Sequence, residues 1–177
     1  MSETRVITGK VRLSYVQVFE PRAMNESAAP KYSVSLVIPK EDKKTLSRIE
    51  AAVESAKAVG EKSKWGGAIP KNLKLPLRDG DTEKDDDVYE GCMFINAKSS
   101  HKPGLVDADL NPIMDKDEFY SGCYGRASIN LYPYDSNGSK GVACGLNNLQ
   151  KLQDWERLGG GGSTAEEDFG SDDDLLF

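Results

Sequence analysis

The chain has 177 residues, 38% of them hydrophobic, and a formal charge of −6; that is long enough for one packed domain, with no need of disulfide staples. Its three cysteines form no C-x-x-C pair and have a single histidine for company, which excludes a zinc module, and no apolar run approaches eighteen residues, which excludes a spanning helix. With no signal-peptide character in MSETRVITGK and unpaired thiols that suit a reducing compartment, a soluble cytoplasmic protein is expected.

In chain order, Val6 to Phe19 alternates at first, with Lys10, Arg12 and Ser14 on one face and Val11, Leu13 and Tyr15 on the other, the pattern of a half-buried strand. Lys31 to Ile38 repeats the pattern through Tyr32, Val34, Leu36 and Ile38, and Pro39 closes it. The two make a long hairpin. From Glu41 the period changes: Leu46, Ile49, Val53 and Ala56 mark an amphipathic helix that Gly60 is placed to terminate. Lys57 to Arg78 is loop-rich, with six bases and one acid around Trp65. After an acidic loop, Gly91 to Ser99 is a third strand, and Asp109-Leu110-Asn111-Pro112 marks a turn. Phe119 to Tyr134 is the longest strand pattern, Asp135-Ser136-Asn137-Gly138 a hairpin turn, and Lys140 to Leu146 the fifth strand. The spacing of Leu149, Leu152 and Trp155 predicts a short helix over 147–158. Five strands, one helix after the second and long loops predict a mainly all-β domain, a small Greek-key barrel of OB type, with a two-sheet sandwich as the other all-β option.

Charge is segregated along the chain. Residues 159–177 hold six of the 29 acids and none of the 23 bases, so residues 1–158 are neutral. Within that body, Asp79 to Glu90 has seven acids and Asp107 to Glu118 has five, each with one lysine, and the remainder carries 21 bases against 11 acids. Such segregation gives a positive surface on a chain whose pI is acidic, so polyanion binding stays open.

The strand Tyr124 to Tyr132 is the most informative. Its alternation sets Gly125, Ala127, Ile129 and Leu131 on one face and Tyr124, Arg126, Ser128, Asn130 and Tyr132 on the other. Rings, a guanidinium and hydrogen-bonding groups with no acid suit a single strand of nucleic acid, whose bases stack on aromatic side chains. A strand tyrosine packed beneath a loop is the structural alternative for each ring. Lys10 and Arg12 project from the first strand; Lys64, Trp65, Lys71, Lys74 and Arg78 lie on the basic loop; Lys98 and Lys102 end the third strand. Trp65 is either a groove ring or a core anchor. Contacts from these bases would be to phosphate and carry no sequence information.

Catalytic readings fail on spacing. His101 has no nucleophile motif beside it, and no phosphate-cradling loop occurs. Asp79 to Glu90 has acids at the ligating positions of a calcium loop, but Lys84 occupies the position that demands glycine. No enzyme, metal or cofactor is expected. The segment GGGGSTAEEDFGSDDDLLF is expected to be a flexible, disordered acidic tail. Its closing Asp172, Asp173, Asp174, Leu175, Leu176 and Phe177 resemble a peptide made to be held, and the tail itself imitates a polyanion.

Together, KVRLSYVQVFEP, KYSVSLVIPKEDKKTL, FYSGCYGRASINLYPYD and GLNNLQKL resemble the single-stranded-DNA-binding proteins of tailed bacteriophages over nearly the whole body. The resemblance implies an OB-fold domain over 1–158 that coats single strands in phage replication, recombination and repair within the host cytoplasm. It implies a tail, 159–177, whose Asp172, Asp173, Asp174 and Phe177 compete with DNA and meet replication or recombination proteins. Leu175-Leu176 stands where bacterial relatives carry Ile-Pro. A homodimer stays open, as do two other functions: a strand-annealing recombination mediator, and a DNA-mimicking scaffold that binds no DNA.

Overall fold

The computed structural model describes residues 4–23 and 29–158. Eight strands form one sheet: β1 (Arg5–Ile7), β2 (Val11–Arg22), β3 (Lys31–Pro39), β4 (Leu77–Asp79), β5 (Cys92–Ser99), β6 (Gly104–Val106), β7 (Tyr124–Ser136) and β8 (Ser139–Gln153). The main helix, α1 (Lys43–Ser63), follows β3, and a four-residue α2 (Gly80–Glu83) follows β4. Pairing runs β2–β3–β5–β8–β7 and back to β2, a closed five-strand circuit. The β5–β8 contact is parallel and the others in the circuit are antiparallel. This is the expected OB-type barrel, with the helix after its second strand as the sequence indicated. β1, β4 and β6 are short additions on β7, β5 and β8.

The core follows the alternation. Val11 and Leu13 of β2, Val34, Leu36 and Ile38 of β3, Ile95 and Ala97 of β5, and Ala127, Ile129 and Leu131 of β7 are buried in one cluster. Each large aliphatic side chain removed from water stabilises the barrel by roughly 1.5–3 kcal/mol. α1 starts at Asp42, whose carboxylate accepts from Thr45 N at 3.2 Å, and buries Ile49, Ala52, Val53 and Ala56 against the barrel.

Four expectations need correction. Gly60 does not end the helix, which runs on to Ser63; it is buried, and a methyl there would meet the Trp65 ring at 2.7 Å and Pro133 at 2.8 Å. The first strand is broken at Thr8–Lys10 into β1 and β2. Tyr15 does not continue the apolar face of β2: the register with β3 slips between Ser14 and Gln17, and Tyr15 is turned outward at φ 49°. Residues 147–153 are strand rather than helix, because β8 is held on both sides, by β7 up to the Tyr124–Gln153 pair and by β6 at Leu105–Leu149. Leu149 is buried in consequence, while Leu152 and Trp155 face out. The Asn137-Gly138 turn is as expected, both residues having positive φ, which makes it a two-residue hairpin connection.

The acidic segment is a cover. On the outer side of β3 and β5, Val37 and Phe94 stand opposite each other. The Tyr89 ring packs edge-on to Phe94 at 5.2 Å, and its hydroxyl donates to Ser14 Oγ at 3.1 Å. The carboxylates hold the segment down. Asp79 and Asp81 lie 2.9 and 2.7 Å from Lys40 Nζ, and Glu83 pairs with Arg78. Hydrogen bonds from Lys40 set both aspartates below the usual carboxylate range.

Burial raises all three thiols: Cys144 most, with Cys123 and half-buried Cys92 also pushed up. Little thiolate is therefore present near pH 8, and the thiolate is the reactive form. Native protein treated with iodoacetamide near pH 8 is expected to label slowly, Cys92 first, with Cys123 and Cys144 protected until unfolding, read by mass spectrometry of the peptides. Early labelling of Cys144 would contradict the packing.

Candidate nucleic-acid interface

Of the residues singled out in the sequence, the structure brings one group together. Tyr124, first residue of β7, pairs with Arg12 of β2 on one side and Gln153 of β8 on the other. Its ring has Lys10 Nζ 5.1 Å and the Arg12 guanidinium 5.9 Å from its centroid, and the exposed Trp155 ring stands edge-on at 5.9 Å. The cations are fixed: Lys10 donates to Gln153 Oε1, and Arg12 donates to the carbonyls of Gly122 (3.2 Å) and Glu156 (2.9 Å). Gly122 permits that approach. Its φ is 116°, and a methyl there would sit 2.1 Å from the Glu156 carbonyl. Arg126, exposed on the same face of β7, is oriented by Gln150 Oε1 at 2.6 Å.

A second ring–cation group adjoins the first. Tyr120 has the Arg157 guanidinium 4.4 Å and Lys151 Nζ 5.4 Å from its centroid, and its hydroxyl lies 2.9 Å from both the Asp154 carboxylate and the Trp155 carbonyl. Burial raises the Tyr120 phenol, while the hydrogen bond from Lys151 lowers Asp154. Tyr120 and Arg157 also form one wall of an open cleft of about 410 Å³ whose other wall is β2 from Tyr15 to Arg22. Arg22, Lys116 and Arg157 supply its positive charge. Lys116 is paired with Glu20 at 2.9 Å, an exposed pair that contributes little to stability and is open to exchange with phosphate.

Lys102 stands 5.6 Å from the ring of Phe19, which lines the cleft. Lys98 is exposed and stands in register with Ser33, which in turn pairs with Gln17 of the cleft wall. These bases extend the same surface across β3 and β5.

The basic loop is not brought there. Lys74 bridges to Gly141 at the opposite end of the β7–β8 hairpin, ten residues and at most about 33 Å along the strand from Tyr124. Arg78 is engaged by Glu83 and lies 5.6 Å from Phe94. Lys64 and Lys71 are exposed on the connection between. Trp65 is 5% exposed, with Nε1 donating to the Tyr134 carbonyl at 3.0 Å: it is the core anchor, and no base can reach its ring. Tyr132 is 40% exposed beside Gly145, with its phenol raised by burial, midway along the hairpin. Asp172, Asp173, Asp174, Leu175, Leu176 and Phe177 lie outside the described residues.

Sequence reasoning missed Tyr15, Phe19, Tyr120, Trp155 and Arg157. Trp155 was assigned to the apolar stripe of the expected helix; with the backbone extended, Leu149 of that stripe is buried but Leu152 and Trp155 fall on the surface.

The sequence model of the family described as Enterobacter phage Enc34, ssDNA-binding protein, matches residues 4–176. Protein p50 of Acyrthosiphon pisum secondary endosymbiont phage 1 is 32% identical over 181 residues, covering 97% of this chain and 94% of that one. Among solved structures, the single-stranded DNA-binding protein from bacteriophage Enc34 in complex with ssDNA superposes with a TM-score of 0.78 at 24% identity, over 88% of this chain and 90% of that one. The single-stranded DNA binding protein encoded by bacteriophage T7 gives 0.64 at 15% identity, over 93% and 99%. At these identities the two structures speak for the fold alone.

Proposed function

The chain belongs to the family of the Enterobacter phage Enc34 ssDNA-binding protein, and we propose that it coats single-stranded DNA without strong sequence preference, holding it on the Tyr124 cluster and in the adjoining cleft. The observation that carries this reading is the ring set between two fixed cations at the barrel surface, Tyr124 with Lys10 and Arg12, beside exposed Trp155. Bases stack on such rings whatever their identity, and the cations meet the backbone. Lys98, Lys102 and Arg126 guide the strand past the cluster. Residues 1–158 are the binding domain. Residues 159–177 compete with DNA for it and, once displaced, engage replication or recombination proteins. The protein acts by binding, not catalysis, in phage DNA metabolism within the host cytoplasm.

The test is a salt titration with labelled single- and double-stranded oligonucleotides. Log affinity for single strands should fall linearly with log salt at about 0.7 per phosphate neutralised. The double variant Lys10→Gln with Arg12→Gln should flatten that slope by about 1.4, being two contacts at that rate. No single-strand binding at low salt would overturn the function; an unchanged slope would move the interface elsewhere.

A further inference from the structure

β2 carries a strained residue at the first of its two register shifts against β3. Tyr15 has φ 49°, a conformation that costs a bulky L-residue steric energy, inside a strand that is otherwise extended. The register slip there turns a large ring out to 59% exposure instead of burying it. Bulges re-aim side chains, and strain of this kind persists where the surroundings fix it. Here they do: Leu13 and Val18 are buried on either side, and Ser14 is buried under the Tyr89 hydroxyl.

The ring lines the cleft at the end of its β2 wall nearest Tyr124, three residues along the strand from Arg12, which stands in register with Tyr124. A single cation accompanies it. Lys84, alone among the seven acids of residues 79–90, has its Nζ 5.5 Å from the Tyr15 centroid and about as far from the centroids of Tyr89 and Phe94. Tyr89 and Phe94 are buried, so Tyr15 is the one ring of this trio that a ligand can cover. Asp85, Asp86 and Asp87 follow Lys84 and disfavour phosphate on that side, leaving the cleft's own Arg22, Lys116 and Arg157 to take the backbone. What remains for Tyr15 is the apolar face of a base.

The geometry points to Tyr15 as a second base-stacking platform, held outward by a strained bulge at the end of the cleft nearest Tyr124; this rests on the single-strand-binding reading above. The bound strand then runs from Trp155 and Tyr124, past Arg12 to Tyr15 and Tyr120, and on along β2 toward Arg22. A residue kept in a costly conformation for a ligand gives a signature that a structural residue does not: relieving the strain removes function without removing stability.

The experiment compares wild type with Tyr15→Asn, Tyr15→Ala and Tyr15→Phe, using fluorescence anisotropy on an oligothymidylate long enough to span the cleft, with a melting curve for each. Asparagine tolerates the left-handed region and lacks the ring. Tyr15→Asn should keep or raise Tm yet bind about 5- to 150-fold more weakly, the range expected for one lost stacking partner. Tyr15→Ala should also bind weakly, and Tyr15→Phe should match wild type. As a readout independent of folding, ultraviolet crosslinking of wild type to a 5-iodouracil oligonucleotide should mark Tyr15 in the peptide map. Wild-type affinity in Tyr15→Asn, or crosslinks found elsewhere but never at Tyr15, would overturn the platform while leaving single-strand binding intact. Absence of binding by wild type would overturn the functional reading and this inference with it.

Discussion

Trp65→Ala is expected to cost about 3–5 kcal/mol of stability, whereas Trp155→Ala should change stability by less than about 0.5 kcal/mol. The two tryptophans have opposite surroundings. Trp65 shares with Pro133 of β7 the notch that Gly60 leaves in α1, and ties the helix to the barrel through its bond to the Tyr134 carbonyl. Truncation leaves a ring-sized void between helix and sheet and strands a carbonyl. For a domain of this length the loss corresponds to a fall in Tm of about 6–20 °C. Trp155, half exposed, has little packing to lose but stands edge-on to Tyr124. Its removal should weaken single-strand binding by about 1–3 kcal/mol. Denaturant titration and oligonucleotide anisotropy on the two variants should give a crossed pattern. Equal stability of Trp65→Ala and wild type would contradict the packing at the helix–barrel seam.

Deleting residues 159–177 is expected to tighten single-strand binding about tenfold at low salt, with the difference vanishing as salt rises. Leu158 donates its N–H to the Ser121 carbonyl at 2.9 Å and lines the cleft, so the acidic segment is joined to the chain at the proposed site itself. Nineteen residues reach at most about 65 Å. A tethered ligand has an effective concentration of order millimolar, so a segment of intrinsic Kd about 0.1 mM would hold the site nine-tenths of the time. Its six acids and lack of bases make the contact electrostatic, hence the convergence at high salt. A peptide of sequence GSDDDLLF added to the truncated protein should restore part of the inhibition. Unchanged affinity on deletion would dispose of the competition.

The barrel was legible where periodicity is strict. In β7 the alternation from Tyr124 to Tyr132 reads directly as burial, with Gly125, Ala127, Ile129 and Leu131 inside, and Asn137-Gly138 announces its hairpin. It was illegible where two periods fit the same letters. Leu149, Leu152 and Trp155 have helical spacing, and only pairing with β6 and β7, which no local pattern records, makes that stretch a strand. Tyr15 was misplaced because a bulge shifts every later side chain to the opposite face, and nothing in LSYVQV marks it. The proposed interface was half legible. Lys10, Arg12, Tyr124 and Arg126 were visible as outward-facing residues of their strands. Their assembly was not, since it depends on contacts such as Arg12 to Gly122 and Glu156, 110 and 144 residues apart. The basic loop stands apart from that cluster for the opposite reason: its charges are close in sequence, but Trp65 pins it to the far end of the hairpin.

That far end has a practical use. The tip formed by Asn137 and Gly138 is solvent-exposed, and nothing lies within 4 Å of where a Gly138 side chain would begin. A short handle inserted there would moor the protein to a bead or slide by the pole opposite Tyr124. Immobilised that way, the barrel would present its proposed nucleic-acid face to solution unobstructed, which suits force or single-molecule measurements of strand wrapping.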